Sequence, residues 1–179
     1  MIIFGAGIAG LLAGCMFQTA KIFEAGPENT SNHKALLRFR TSKVGDAVGI
    51  DFRRVRVNKG IWQDEKFTQP NIMLANLYSQ KVIGRVADRS VWNLDPVDRF
   101  IAPEDFIGLL NERCAGRVEW GHAVSEEEVA AGFDQPVIST LPMNLMAKFV
   151  GSTDAPEFAY QPIVVKRWRV PNADVFQTV

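Results

Sequence analysis

The apolar positions cluster at the very start of the chain. Met1 to Phe4 is a short apolar run that passes directly into Gly5-Ala6-Gly7-Ile8-Ala9-Gly10, and from there into an apolar stretch of helical spacing that ends near Gln18. A run that short, bounded by glycine, predicts a buried strand, and the stretch after it predicts a helix. Lys21 to Glu24 (KIFE) predicts a second short strand, closed by an acid. The next residues, Ala25 to Asn32, are rich in turn formers and predict an exposed loop.

Further along, FRRVRVN from Phe52 to Asn58 alternates as an outer strand does, and Asn58-Lys59-Gly60 predicts a turn before Ile61 and Trp62. Asn71 to Val82 reads as a helix, and Asp95-Pro96 as a turn. APEDFIGLLNERC predicts a clearer helix, with Pro103 suited to its first turn, Glu104 and Asp105 favouring its positive end, and a stripe of Phe106, Leu109, Leu110 and Cys114. Arg117 to Trp120 predicts a strand, and Ser125 followed by Glu128 predicts a capping box opening a short helix to about Ala131. Pro136 to Leu141 reads as a buried strand, and Ile163 to Val170 and Val175 to Val179 as two strands joined by Pro-Asn-Ala-Asp. There is no internal repeat and no low-complexity segment.

Composition narrows the classes. The chain has 179 residues, of which 47% are hydrophobic, enough for a core in one domain or one and a half. Lysines and arginines number 20 and so do the acids, so charge gives no general attraction to nucleic acid or to an anionic membrane. Cys15 and Cys114 sit in apolar, helix-like segments and read as small core residues of a reducing compartment. The first strand begins at Met1, leaving no room for a signal peptide, and no apolar run is long enough to cross a bilayer. The expectation is a cytoplasmic protein without nucleic-acid or membrane partners.

Strand, glycine turn, helix, second strand and acid is the order a dinucleotide site requires. Gly5 permits the turn off the strand, Gly7 lets a pyrophosphate approach the backbone, and Gly10 lets the helix lie against the sheet. The helix N-terminus offers free N–H groups to an anion, worth ~0.3–2 kcal/mol. Glu24 follows Gly5 by about twenty residues, where a carboxylate can accept the ribose hydroxyls of an adenosine. The same carboxylate disfavours NADP, since a 2′-phosphate at ~4 Å would meet roughly 4 kcal/mol of repulsion per charge at an effective dielectric of ~20. FAD and NAD share the fingerprint. The long excursion from about Ala25 to Ile101, before the next convincing helix, favours FAD.

GAGIAGLLAG with KIFEAG resembles the N-terminal FAD motif of the flavoprotein oxidoreductases related to amine oxidases, phytoene desaturases and UDP-galactopyranose mutases. PVISTLPMNLMAKFVG resembles a later segment of that group, where a strand ends in a small residue and a proline near the flavin. The resemblance implies that Gly5, Ala6, Gly7, Ile8, Ala9 and Gly10 receive the FAD pyrophosphate, with Glu24 and Ala25 at the adenosine ribose. It implies a backbone contact to adenine at Val124, and places Thr140 and Pro142 on the flavin side. The helix between Gly10 and Lys21 is about one turn shorter than is usual in the group, which keeps its inward face in phase. The chain ends on an apolar strand, which implies an N-terminal portion of something longer. The group's late glycine–aspartate segment, which holds the ribityl and pyrophosphate from the other side, does not occur before Val179, which gives weight to a non-catalytic nucleotide-binding protein.

A basic stretch holds Lys34, Arg38, Arg40, Lys43, Arg53, Arg54, Arg56 and Lys59 against Asp46 and Asp51. Arg38 or Arg40 reaching the FAD pyrophosphate, an anionic substrate site, nucleic acid, and a solvated strand face are the readings open for it, nucleic acid the least favoured in a neutral chain. His33 and His122 lack ligand-spaced partners, so no metal site is expected, and His122 reads as structural. Trp62, Trp92, Trp120 and Trp168 read as packing residues, and no catalytic residue stands out, as suits chemistry carried by a cofactor. The expected fold is α/β: a Rossmann-like FAD-binding domain over residues 1–141 with a strand-rich substrate region inserted at about 25–101, and the start of a substrate-domain sheet over 142–179. The expected function is FAD-dependent oxidation of a small organic substrate, an amine by analogy with the group. A flavin-dependent mutase, an NAD-dependent dehydrogenase and a non-catalytic nucleotide-binding protein are the alternatives.

Overall fold

A computed structural model of the chain describes residues 1–28, 36–68, 84, 95–153, 164–166 and 176–178. The chain divides into two compact units: Met1–Leu36, Lys43–Asp51 and Pro103–Arg167 form one, and Leu37–Ser42, Phe52–Ala102 and Trp168–Val179 the other. Among the described residues no helix is long and apolar enough to cross a membrane.

The first unit is α/β, built on a parallel sheet of β1 (Ile2–Phe4), β2 (Lys21–Glu24), β7 (Val118–Trp120) and β8 (Val137–Ser139), in the order β7-β2-β1-β8. Its helices are α1 (Ile8–Met16), α2 (Lys43–Val48), α3 (Phe106–Arg113), α4 (Glu126–Ala131) and α5 (Met143–Phe149). Alternation along β1 and β2 divides the core into two layers. Ile3 pairs with Ile22 and both are fully buried beneath α1, as are Leu11 of α1 and the α3 stripe Phe106, Leu110 and Cys114. Phe4 pairs with Phe23 on the other face, where Val124, Val129, Phe133, Leu141 and Met146 close over Ile2, Phe4 and Phe23. The central strands are therefore apolar on both faces, as parallel strands covered on both sides must be. Each buried Phe or Ile contributes about 1.5–3 kcal/mol.

α1 approaches the sheet at Gly14, where an added Cβ would lie 2.5 Å from Ile22 Cδ1 and 2.9 Å from Cys114 Sγ. Cys15 and Cys114 are both free thiols with their sulfurs 3.8 Å apart, and burial, then Cys114 beside it, pushes the Cys15 thiol up to about 11. Arg117 ties the helix ends together, its guanidinium donating to Gly14 O at 2.9 Å, Phe17 O at 3.3 Å and Arg113 O at 3.0 Å. Arg113 does the same for α2, donating to Val48 O and Gly49 O, each at 2.6 Å. These bonds satisfy carbonyls that helix C-termini leave open.

The second unit is a mixed sheet of β3 (Arg38–Phe39), β4 (Arg53–Gln63), β5 (Lys66–Thr68), β6 (Val97–Ile101) and β9 (Phe176–Thr178). The order is β3-β6-β4-β5, with β9 pairing β4 in parallel. β4 meets β6 along Arg53–Val57, β9 along Asn58–Gly60 and β5 along Ile61–Gln63.

Several sequence expectations are corrected here. Asn58-Lys59-Gly60 is no turn: β4 runs through it, because its backbone groups are taken up by Phe176, Gln177 and Thr178. The reversal falls at Asp64 and Glu65, whose φ of 51° and 62° make the two-residue primed turn that suits a twisted hairpin. Pro103 precedes α3 rather than forming its first turn, while Asp105 stands at its positive end as N-cap, and Leu109 is only half-buried. β8 is an edge strand with Val137 37% exposed, not a buried one. Of the expected strand from Ile163 to Val170, only Val164–Lys166 are described, and they are not strand. The expected helix Asn71 to Val82 lies outside the described residues. β3, α2 and β6 carried no signal that the sequence reading used.

Candidate functional site

The β1–α1 turn is shaped by two glycines for reasons internal to the fold. Gly5 has φ +91° and Thr140 Oγ1 sits 2.7 Å from where its Cβ would be, so no other residue fits without strain. A Cβ on Gly10 would overlap the carbonyl oxygen of Gly5. Gly7 is different. It is the N-cap of α1 with φ −67° and ψ 177°, an ordinary extended conformation, and an added Cβ would meet nothing within 4 Å. Among the described residues nothing requires a glycine there; the missing side chain leaves open space in front of a helix N-terminus that has no side-chain cap. Ile8, Ala9 and Gly10 supply the first-turn N–H groups, which the helix itself leaves unpaired.

Glu24, the last residue of β2, reaches this turn. Its carboxylate accepts from Ala6 N at 2.6 Å and from Gly26 N at 2.9 Å, one bond to each oxygen. A carboxylate has about four acceptor sites, so both oxygens keep capacity for further donors. Glu24 also lines a cleft of about 450 Å³ with Ala6, Gly7, Gly26, Pro27, Glu28 and Trp120. The backbone after β7 closes this end: Gly121 N donates to Gly26 O at 3.0 Å and His122 N to Glu24 O at 2.9 Å. The cleft thus lies beyond the C-terminal ends of parallel strands, where open α/β sheets place their ligands. It offers hydroxyl-accepting carboxylate oxygens beside anion-accepting N–H groups. A cleft of about 460 Å³ beside Cys15 also contains Arg113 and Arg117, but their donors go to helix carbonyls.

The other predicted residues fall as follows. Thr140 follows β8, and its hydroxyl donates to Phe4 O at 2.7 Å while its N–H donates to the same oxygen at 2.9 Å, bracing the glycine turn. Pro142 is the exposed N-cap of α5, Ala25 is exposed just after β2, and Val124 packs on the Phe4–Phe23 layer. Arg38 and Arg40 belong to the second unit, while Lys43 belongs to the first, so the basic stretch is divided between the two units. Trp120 corrects the packing expectation: it is half-buried and lines the cleft, beside Glu24 in the β2–β7 register. Gly26, Pro27 and Glu28 also line the cleft without having been singled out in the sequence; their signal was their place directly after the strand that ends in Glu24. Trp92, Trp168, His33 and Lys34 lie outside the described residues, as does the side chain of Trp62.

His122 is structural, as expected. Its ring stacks on Phe23 at 4.3 Å between centroids and bonds to Glu119 at 2.9 Å and Glu128 at 3.0 Å. The Glu119 carboxylate first, then Glu128, holds this imidazole above its ordinary value. Lys21, then His122, holds Glu119 below its own. Ser125 and Glu128 form the expected capping box, with Glu128 N to Ser125 Oγ at 3.2 Å and Ser125 N to Glu128 Oε2 at 2.8 Å.

No known family profile matches the chain, and no curated protein does. Among solved structures, it is similar to a provisionally assigned FAD-containing monooxygenase from Photorhabdus luminescens subsp. laumondii, with 14% identity and a TM-score of 0.40. The match covers 67% of this chain and 30% of that one.

Proposed function

We propose that this chain binds FAD at the β1–α1 turn and serves a flavin-dependent oxidation of a small organic substrate. The observation that carries the reading is Gly7, a glycine the fold does not need, opening on the cleft that Glu24 lines. The strand order β7-β2-β1-β8, in chain order 3-2-1-4, is that of a doubly wound dinucleotide sheet around its switch point. In this reading the N–H groups of Gly7, Ile8, Ala9 and Gly10 receive the pyrophosphate, Glu24 accepts the ribose hydroxyls and Trp120 flanks the adenosine. Thr140 holds the turn in shape rather than touching the ligand. Bound flavin supplies a hydride acceptor, which the side chains of this site do not. The amine as substrate rests on the sequence resemblance alone.

NAD is the second reading, because the same cleft takes the adenosine half of either cofactor. The test is an absorption spectrum of the purified chain, followed by titration with FAD, NAD and NADP. Flavin bands retained through desalting, or saturable FAD uptake stronger than NAD uptake, are expected. Uptake of NAD without FAD would replace the reading, and uptake of neither would end it.

A further inference from the structure

In the second unit, antiparallel register sorts the arginines onto two faces of the sheet. Residues directly opposite one another share a face. Arg54 lies opposite Phe100 and Arg56 opposite Asp98, and on that face both guanidiniums pair with the Asp98 carboxylate. Arg54, then Arg56, holds the Asp98 carboxyl below its usual range.

On the opposite face no such partner is found among the described residues. Ile101 is flanked by Arg38 on β3 and by Arg53 on β4. Arg38 pairs with Ile101 and Phe39 with Phe100, and Arg40, in the bend just past β3, is close enough to Arg99 for their charges to repel. Arg38, Arg53 and Arg99 therefore share one face, around an apolar floor in which Val57 and Ile101 are buried, and Arg40 adds its charge beside Arg99. Among the described residues none of the four has an acidic side chain in contact. Arg99 donates to the backbone oxygen of Asp98, at 2.9 Å. Like charges set opposite each other across strands destabilise a sheet. Burial, then the nearby Arg38 and Arg40, pulls Arg99 below the ordinary guanidinium range.

We propose that this face is a binding site for the phosphate or pyrophosphate group of a small molecule. A single carboxylate has two oxygens, enough for one or two guanidinium forks; a phosphate has three terminal oxygens and a pyrophosphate more, which suits a cluster of four arginines. The chain as a whole carries no net charge, so the cluster is a local feature rather than part of a basic surface made for a polyanion. The site lies wholly within the second unit and does not rest on the nucleotide reading of the first.

The test is calorimetric titration of inorganic pyrophosphate into the full chain carrying Gly7→Leu, which closes the glycine turn to phosphate. One saturable site is expected. Arg38→Gln and Arg40→Gln, both at exposed positions, should each weaken it roughly ten- to hundredfold, as loss of a charged hydrogen-bond partner does. Arg54→Gln, on the face that has its own carboxylate, should leave it within about twofold. In the chain with Gly7 intact, Arg40→Gln should leave FAD affinity unchanged. Absence of pyrophosphate binding, or equal losses in Arg40→Gln and Arg54→Gln, would overturn the site. So would a parallel loss of FAD affinity in Arg40→Gln, because the anion would then be the cofactor's own. A single-stranded oligonucleotide bound far more tightly than pyrophosphate through the same arginines would replace the small molecule with a nucleic acid.

Discussion

Gly7 and Gly10 answer to different demands, and substitution separates them. At Gly10 a methyl group would have to displace the Gly5 carbonyl, so Gly10→Ala should cost about 1–3 kcal/mol, the range for overpacking. Gly7 has an ordinary backbone conformation and open space ahead of it. Gly7→Ala exchanges a favoured N-cap for a poor one, a few tenths of a kcal/mol up to ~1, against ~0.4–1 kcal/mol gained from a stiffer unfolded chain. Its stability should therefore stay within about 1 kcal/mol of the parent, while FAD affinity falls. Urea denaturation and FAD titration of both variants check the pair; unchanged FAD affinity in Gly7→Ala would remove the main support for the nucleotide site. Glu24→Ala should weaken FAD by about 1.5–3 kcal/mol, roughly ten- to a hundredfold. Because Glu24 also accepts from Ala6 and Gly26, it should lose stability as well. Loss of stability with affinity retained would make Glu24 a brace for the turn alone.

At the scale of elements, α4 was readable because its signal is local: Ser125 and Glu128 sit three apart and bond to each other's backbone. Ser125→Ala should cost about 0.5–2 kcal/mol, measurable by thermal or chemical unfolding, and an unchanged stability would show the box to be idle. The strand–glycine–helix–strand opening was legible for the same reason. β4 was not, since its course through Asn58-Lys59-Gly60 depends on β9, which lies more than a hundred residues away in the chain. Its turn falls on Asp64 and Glu65; aspartate is a turn former that tolerates a positive φ, but Glu65 stands where the usual signal would be a glycine. The cleft was half legible: Glu24 follows from spacing, but Trp120 joins it only through the β2–β7 pairing. The same neighbourhood makes stability depend on pH through His122. Its folded value is raised above 6.5, so protonated His122 contributes fully below that pH, and the contribution is lost as pH rises through the folded value. Glu119 and Glu128 are lowered from 4.5, so their share is present above 4.5 and lost as pH falls through their folded values. The stability difference between the parent and His122→Gln should therefore be greatest at about pH 5–6 and shrink towards pH 8. A difference that is flat with pH would mean that the imidazole acts only by stacking on Phe23.

At the scale of the molecule, balanced charge hides an uneven arrangement. Run along the sequence, the basic residues from Lys34 to Lys59 look like one feature; in the fold Lys43 joins the first unit and Arg38, Arg40 and Arg53 the second. A linear reading cannot see this, because the division is made by pairing between β3, β4 and β6, strands separated by long stretches of chain. The division also sets what a nucleotide should do to the whole chain. A ligand that binds only the folded state stabilises it by RT ln(1 + [L]/Kd), about 2.7 kcal/mol at a hundredfold excess over Kd. For a chain of this size each kcal/mol moves Tm by about 2–4 °C, so saturating FAD should raise the unfolding temperature of the first unit by about 5–10 °C. ADP should reproduce the part of that shift that comes from Glu24 and the glycine turn. NADP should give little, since its 2′-phosphate would face Glu24, with Glu28 lining the same cleft. Scanning calorimetry with the three ligands measures this directly. An NADP shift equal to that of FAD would mean that Glu24 does not meet the ribose. An FAD shift that survives Gly7→Leu would move the nucleotide away from the β1–α1 turn altogether, since the leucine side chain would fill the open space in front of α1 that Gly7 leaves.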